Sequence, residues 1–334
     1  FAQAVGDLHT SGSSFDSGLM AFRNSSRCFF ARLRQDPCSV AAETRKWVPP
    51  SVVEELFKGT SGNKFSAINR ATAGPRVDKT LPAGGAAFQL YSRATPNGWK
   101  VGILLEELGI PYDAHLINIG KGEQFTSGFV GANPNSKIPA AIDLEGPGGE
   151  PIALMESAAI MMYLCEKFPE TRFFPSEPRL RSECVQWLMA GQGPMTGNFG
   201  HFMVYAPPDK SEARDYGVSR YGMEVQRLLD VLERHLSGMG DFSGQPGPRK
   251  EGPRRYLVGD AYTIADMACL PWVWMLRTAR YDRGGQPRCH DFLGLEKYAN
   301  VSEWVDRLMA RQEAQRGIRV CDGAPKPWLR EQAP

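Results

Sequence analysis

The chain has 334 residues, 42% of them hydrophobic and 23% charged, with a formal net charge of +2. That is the composition of a globular protein long enough for two domains, and so small a net charge gives no reason to expect nucleic acid or an acidic membrane as partner. No apolar run approaches the ~20 residues that span a bilayer, and seven scattered cysteines without a C-x-x-C pair argue against a disulfide scaffold and a zinc ribbon and for a reducing compartment.

Residues 1–44 read as a low-complexity extension. Ser11 to Arg34 are Ser-rich, with Arg23, Arg27, Arg32 and Arg34 near a single acid, Asp16. This is the compositional style of a mitochondrial or chloroplast transit region, and a disordered tail or a segment docking on a larger assembly fits it equally well. The expected compartment is therefore the cytoplasm or an organelle. Residues 45–87 read as an arm, broken by Pro49-Pro50, Gly62-Asn63 and Gly74-Pro75.

From Phe88 the pattern alternates. Phe88-Gln89-Leu90-Tyr91 predicts a strand, and Thr95-Pro96 predicts a helix start with threonine as N-cap and proline at the first helical position. Val101, Leu104, Leu105 and Leu108 continue at helical spacing. A helix N-terminus offers unpaired N–H groups and partial positive charge, which favour an anion such as a thiolate; alone, the segment is equally an ordinary βα turn. A strand is expected near His115-Leu116-Ile117. Next comes Asn133-Pro134-Asn135-Ser136-Lys137-Ile138-Pro139, where an X-Pro bond ahead of a short strand suits a cis peptide that turns the Ile138 backbone outward. Pro139–Asp143 and Pro151–Leu154 predict a hairpin. Its loop holds Gly146-Pro147-Gly148-Gly149, and a helix from Ser157 to Phe168 follows. Ser157 and its neighbouring N–H groups are placed to hold a carboxylate, and Glu156 to accept from an ammonium.

The region from Pro178 onward is helical. Leu180, Cys184, Trp187 and Leu188 form one stripe, and Tyr221, Val225, Leu228, Leu229, Leu232 and Leu236 another. Thr263-Ile264-Ala265-Asp266 has the form of a capping box opening a Trp-rich helix. Asn300 is the expected N-cap for Val301, Trp304, Val305, Leu308 and Met309. Cys165, Cys184 and Cys269 fall within apolar patterns and read as core.

The Thr-Pro-Asn-Gly turn, Ile138-Pro139 and Glu156-Ser157, in this order and spacing, resemble the glutathione transferase superfamily. The turn at Thr95 is similar to that of the Nu class, the bacterial YghU and YfcG type related to yeast Ure2, which carries it where other classes have a catalytic Tyr, Ser or Cys. Phe65 to Arg70, Lys79 to Pro82, Gln124 to Phe129 and Gly200 to Pro207 also match that type, and the resemblance covers about Lys46 to Gly317.

The resemblance implies an α/β plus all-α fold: a thioredoxin-like glutathione-binding domain over 88–175, a helical domain over 178–320 and a tail from 321 to 334. It implies glutathione as cofactor, with Thr95 and Asn97 at its sulfur and Gln124, Lys137, Ile138, Glu156 and Ser157 along its backbone. Asn69, His201, Tyr205 and Arg220 are the candidates for a second glutathione. Two adjacent thiols imply a disulfide-bond reductase. Conjugation of glutathione to an electrophile, or a non-catalytic role as subunit of a larger assembly, are the alternatives, the last using the N-terminal extension and the Gly/Pro-rich insert at 239–255. A homodimer is expected. Trp99 stands where relatives often have a smaller or polar residue, and is expected to alter access near the thiol.

Overall fold

The computed structural model describes residues 72–190, 197–200, 211–239, 252–278 and 289–327. Strand β1 (Phe88–Ser92) is buried along its whole length, as a central strand must be when helices cover both faces. It is followed by helix α1 (Pro96–Leu108), strand β2 (Tyr112–Leu116), a short helix α2 (Ser127–Ala132), strands β3 (Ala140–Asp143) and β4 (Ile152–Met155), and helix α3 (Ser157–Lys167). The sheet order is β2-β1-β3-β4. β1 runs parallel to β2 and antiparallel to β3, with Leu90 opposite Ala114 on one side and Ala141 on the other. This is the mixed sheet of a thioredoxin-like domain. β2 begins three residues earlier than the His115-centred expectation, because its pairing starts at Phe88–Tyr112.

The second half is helical: α4 (Pro178–Met189), α5 (Ser211–Leu236), α6 (Ile264–Arg277), α7 (Cys289–Leu293), α8 (Ala299–Met309) and α9 (Gln312–Gly317). On α5 the predicted stripe packs inward, with Val225, Leu229, Leu232 and Leu236 buried. On α4 the prediction holds for Cys184 and Leu188 but not for Leu180, which is 38% exposed near the helix start. Asn300 does not cap α8: the helix opens at Ala299, and Glu233 of α5 accepts from the backbone N–H groups of Asn300 and Val301 at 3.2 and 3.0 Å. A carboxylate from another helix does the work of a cap, which no local pattern reveals.

Helix α1 joins the two halves. Trp99, Val101, Ile103, Leu104 and Leu105 are fully buried, and Trp99 meets Trp274 of α6 edge to face at 5.3 Å. Gly102 and Gly317 bring α1 and α9 together almost backbone to backbone. A Cβ on Gly102 would stand 2.5 Å from the Gly317 carbonyl oxygen, and one on Gly317 would stand 2.5 Å from the Ile103 nitrogen. Beside that contact, Arg316 donates to Glu106 at 2.6 Å, and Arg311 makes a two-pronged pair with Glu107 at 2.6 and 2.5 Å. The Glu107 side chain is only 2% exposed.

Before the sheet, residues 76–82 lie along α2. The Ser127 N–H donates to Val77 O at 2.9 Å, Gly128 N–H to Lys79 O at 3.0 Å, and Tyr91 OH to Pro82 O at 2.8 Å. A side chain at Gly128 would collide with this strip, 2.6 Å from the Leu81 nitrogen.

Asp266 closes the predicted capping box of α6. It is fully buried and accepts from Thr263 N–H, Thr263 Oγ1, Leu257 N–H and Trp304 Nε1. Burial pushes its carboxyl up to about 6, although these four donors pull it down. A carboxyl raised on folding takes up a proton between the unfolded value of about 4 and that folded value. Its contribution to stability is therefore full below about pH 4 and falls by about 2–3 kcal/mol as pH rises past about 6. Denaturant unfolding of wild type and Asp266→Asn should show the wild-type advantage shrinking by that amount across this window; a constant difference would refute the assignment.

Candidate functional site

The corner between β1 and α1 is built from residues with distinct physical tasks. Thr95 is extended, at φ −132° and ψ 160°, and its Oγ1 accepts from the Gly98 N–H at 3.5 Å. Pro96 occupies the first helical position, where its missing N–H has no consequence. Gly98 is required by space: a Cβ there would run into the Arg93 carbonyl oxygen and lie 2.6 Å from Ser92 Oγ. The Ala94 N–H donates to Cys321 O at 3.2 Å, which fastens the corner to the C-terminal segment.

The second wall is the turn before β3. Asn133, 1% exposed, donates from Nδ2 to Lys137 O at 2.6 Å and accepts from the Asn135 N–H at 2.9 Å, closing the loop on itself. The Ile138–Pro139 bond is cis. The third wall is the junction of β4 and α3. Glu156 sits at φ 68°, a region few side chains adopt, and it turns the chain directly into Ser157 at the first helical position. Asn135 reaches Glu156 Oε1 at 3.5 Å.

These walls enclose a cavity of about 160 Å³ lined by Asn97, Asn133, Lys137, Ile138, Pro139, Glu156 and Ser157. Two helix N-termini open on it, those of α1 and α3; the first turn of neither carries an acidic side chain, though Glu156 stands at the N-cap of α3. Lys137 adds a cation and Glu156 an anion. The arrangement suits an elongated ligand with anionic groups at two places and an ammonium at one.

Asn97, Lys137, Ile138, Glu156 and Ser157, all predicted from the sequence, thus meet in one cavity, and Thr95 caps the helix that carries Asn97. Gln124 is buried beside α2 with its Oε1 unpartnered among the described residues, but it does not line the cavity. Arg220 stands exposed on α5, where its charge bears on Glu224. Asn69, His201 and Tyr205 lie outside the described residues. Asn133 was missed as a lining residue, although its place at the head of the Asn-Pro-Asn turn was visible. Trp99 does not control access, because its side chain is enclosed between the two halves.

Among the described residues every cysteine is buried and none lines the cavity. Burial pushes the thiols of Cys165, Cys269 and Cys321 up to about 12 and that of Cys184 to about 11, far from the range of a nucleophile.

The glutathione S-transferase N-terminal domain family matches residues 94–167 and the glutathione S-transferase C-terminal domain family matches residues 215–307. The disulfide-bond oxidoreductase YghU of Escherichia coli is 41% identical over 77% of this chain and 83% of its own length. The glutathione transferase YghU of Streptococcus pneumoniae, solved in complex with glutathione, is 38% identical with a TM-score of 0.69, covering 82% of this chain and 97% of that one. A glutathione transferase of Burkholderia graminis, solved with two glutathiones per subunit, is 37% identical with a TM-score of 0.61, covering 71% of this chain and 90% of that one.

Gly98→Ala tests the corner. Alanine favours a helix over glycine by about 1 kcal/mol, but the collision with the Arg93 carbonyl should outweigh this and lower stability by about 1–3 kcal/mol in denaturant unfolding. A variant as stable as wild type would mean that the corner yields freely.

Proposed function

Because the chain belongs to the glutathione S-transferase family, we propose that it is a glutathione-dependent disulfide-bond reductase that holds two glutathiones per subunit. One observation carries this reading: two helix N-termini, Lys137 and Glu156 converge on a cavity that, among the described residues, no cysteine lines. A site that binds a thiol-bearing peptide but lacks a thiol of its own takes its sulfur chemistry from the ligand. The relative named for disulfide-bond oxidation–reduction and the relative solved with two glutathiones support the same reading.

The donor set fits glutathione group by group. The N-terminus of α3 with Ser157 takes the γ-glutamyl carboxylate, and Glu156 takes the adjacent ammonium. The Ile138 backbone pairs with the peptide, and Lys137 faces the remaining carboxylate. Thr95 and Asn97 stand at the sulfur, where the positive end of α1 favours thiolate over thiol. Two glutathione thiols supply the two electrons that turn one disulfide into two thiols, and their sulfurs end joined as oxidised glutathione. The residues of the chain hold the reactants in register and keep the attacking sulfur ionised. Asn69, His201, Tyr205 and Arg220 remain the candidates for the second glutathione, and a homodimer is the proposed assembly.

Calorimetric titration of the wild-type chain with reduced glutathione should give two equivalents per subunit; one equivalent would favour conjugation over reduction. Thr95→Ala should lower turnover of a small dialkyl disulfide by about a hundredfold, as loss of one donor to a developing anion does, while leaving glutathione affinity within a few fold. Unchanged turnover would remove Thr95 from the mechanism.

A further inference from the structure

Lys100 lies three residues beyond Asn97 on α1, so both side chains leave the helix on the same face. Asn97 reaches the cavity, and Lys100 sits behind it, between α1 and α6. Its Nζ is 6.0 Å from the ring centre of Trp272. Among the described residues its ammonium makes no hydrogen bond and no ion pair. The indole N–H of Trp272 is likewise buried without an acceptor. Two donors, one of them charged, therefore stand without a partner among the described residues where α1 meets α6. An unpaired cation partly withdrawn from water is unfavourable, and such groups concentrate where a protein binds or transforms an anion.

The groups that face Lys100 are few. From the start of α3 comes Glu156, from α6 come Cys269 and Trp272, and the first turn of α1 contributes no acid. Cys269 is pushed up to about 12 and stays neutral, so it does not balance the charge. Glu156 is the one described carboxylate that bears on Lys100, and in the function proposed above it is engaged by the ligand ammonium. Burial draws Lys100 itself below its usual value, outweighing the opposing pull of Cys269 and Glu156.

Resting on that functional reading, we propose that Lys100 is a positioning charge for the thiolate: its ammonium, set one helical turn behind Asn97, lowers the pKa of the glutathione thiol held at the N-terminus of α1. The proton released goes to solvent, and Lys100 keeps its own, acting through its charge alone. Trp272 holds the stem of the lysine in place.

The test separates charge from packing. Lys100→Met keeps the apolar stem without the charge, and Lys100→Arg keeps a charge. The readout is the ultraviolet absorbance of the thiolate in glutathione-loaded protein, titrated against pH. The methionine variant should show an apparent thiol pKa about one unit above wild type, and the arginine variant should restore it. Turnover of the methionine variant should fall about tenfold below the wild-type thiol pKa and converge with wild type above it. Lys100→Gln, uncharged but polar, reads the same shift if the methionine variant does not fold. Glutathione binding with superimposable titrations in all variants overturns the role of Lys100 alone, whereas no glutathione binding by wild type overturns the proposed function with it.

Discussion

The rest of the structure depends on where helix α1 is allowed to sit. Its N-terminus faces a polar cavity, while Trp99, Ile103, Leu104 and Leu105 are fully enclosed within a few residues of that end. Gly102 and Gly317 leave no room for sliding, and the pairs Glu106–Arg316 and Glu107–Arg311 fix rotation. Cavity, sheet and helical domain are thereby held to a common reference, and Asn97 inherits its position from contacts made on the far side of the helix.

The parts of this arrangement that were legible in the sequence are those with local causes. Thr95 and Pro96 announce a helix start, Asp266 three residues after Thr263 announces a capping box, and Pro139 marks the strand entrance. Each depends on neighbours within a few positions. The parts that were not legible depend on residues distant along the chain. Glu233 caps α8 from another helix, so Asn300 drew the assignment that a local pattern would give it. Trp99 was expected to alter access near the thiol, but it lies two residues past Asn97, and two residues along a helix turn a side chain by roughly 200°, to the opposite face. Lys100 escaped notice for the complementary reason: nothing in a run of residues shows that a lysine will be partly buried against another helix.

The treatment of sulfur in this chain is consistent. The described cysteines are buried, and burial raises the thiols of Cys165, Cys184, Cys269 and Cys321 well above the range in which they would ionise. A protein proposed to exchange disulfides thus keeps its own thiols silent in the described regions. The site instead supplies helix ends, one lysine in the cavity wall and another behind it. Among the described residues, the cavity therefore offers no thiol with which a ligand sulfur could form a mixed disulfide.

The pairing of α1 with α9 also has a meaning during synthesis. The Glu106–Arg316 bond spans 210 positions, so the thioredoxin-like half leaves the ribosome long before the helix that covers its rear face exists. Until α9 emerges, Gly102 and Ile103 present bare backbone and apolar surface with no native cover. The residues that line the cavity, Asn97 to Ser157, are thus translated well before α9, the helix that backs the one carrying Asn97.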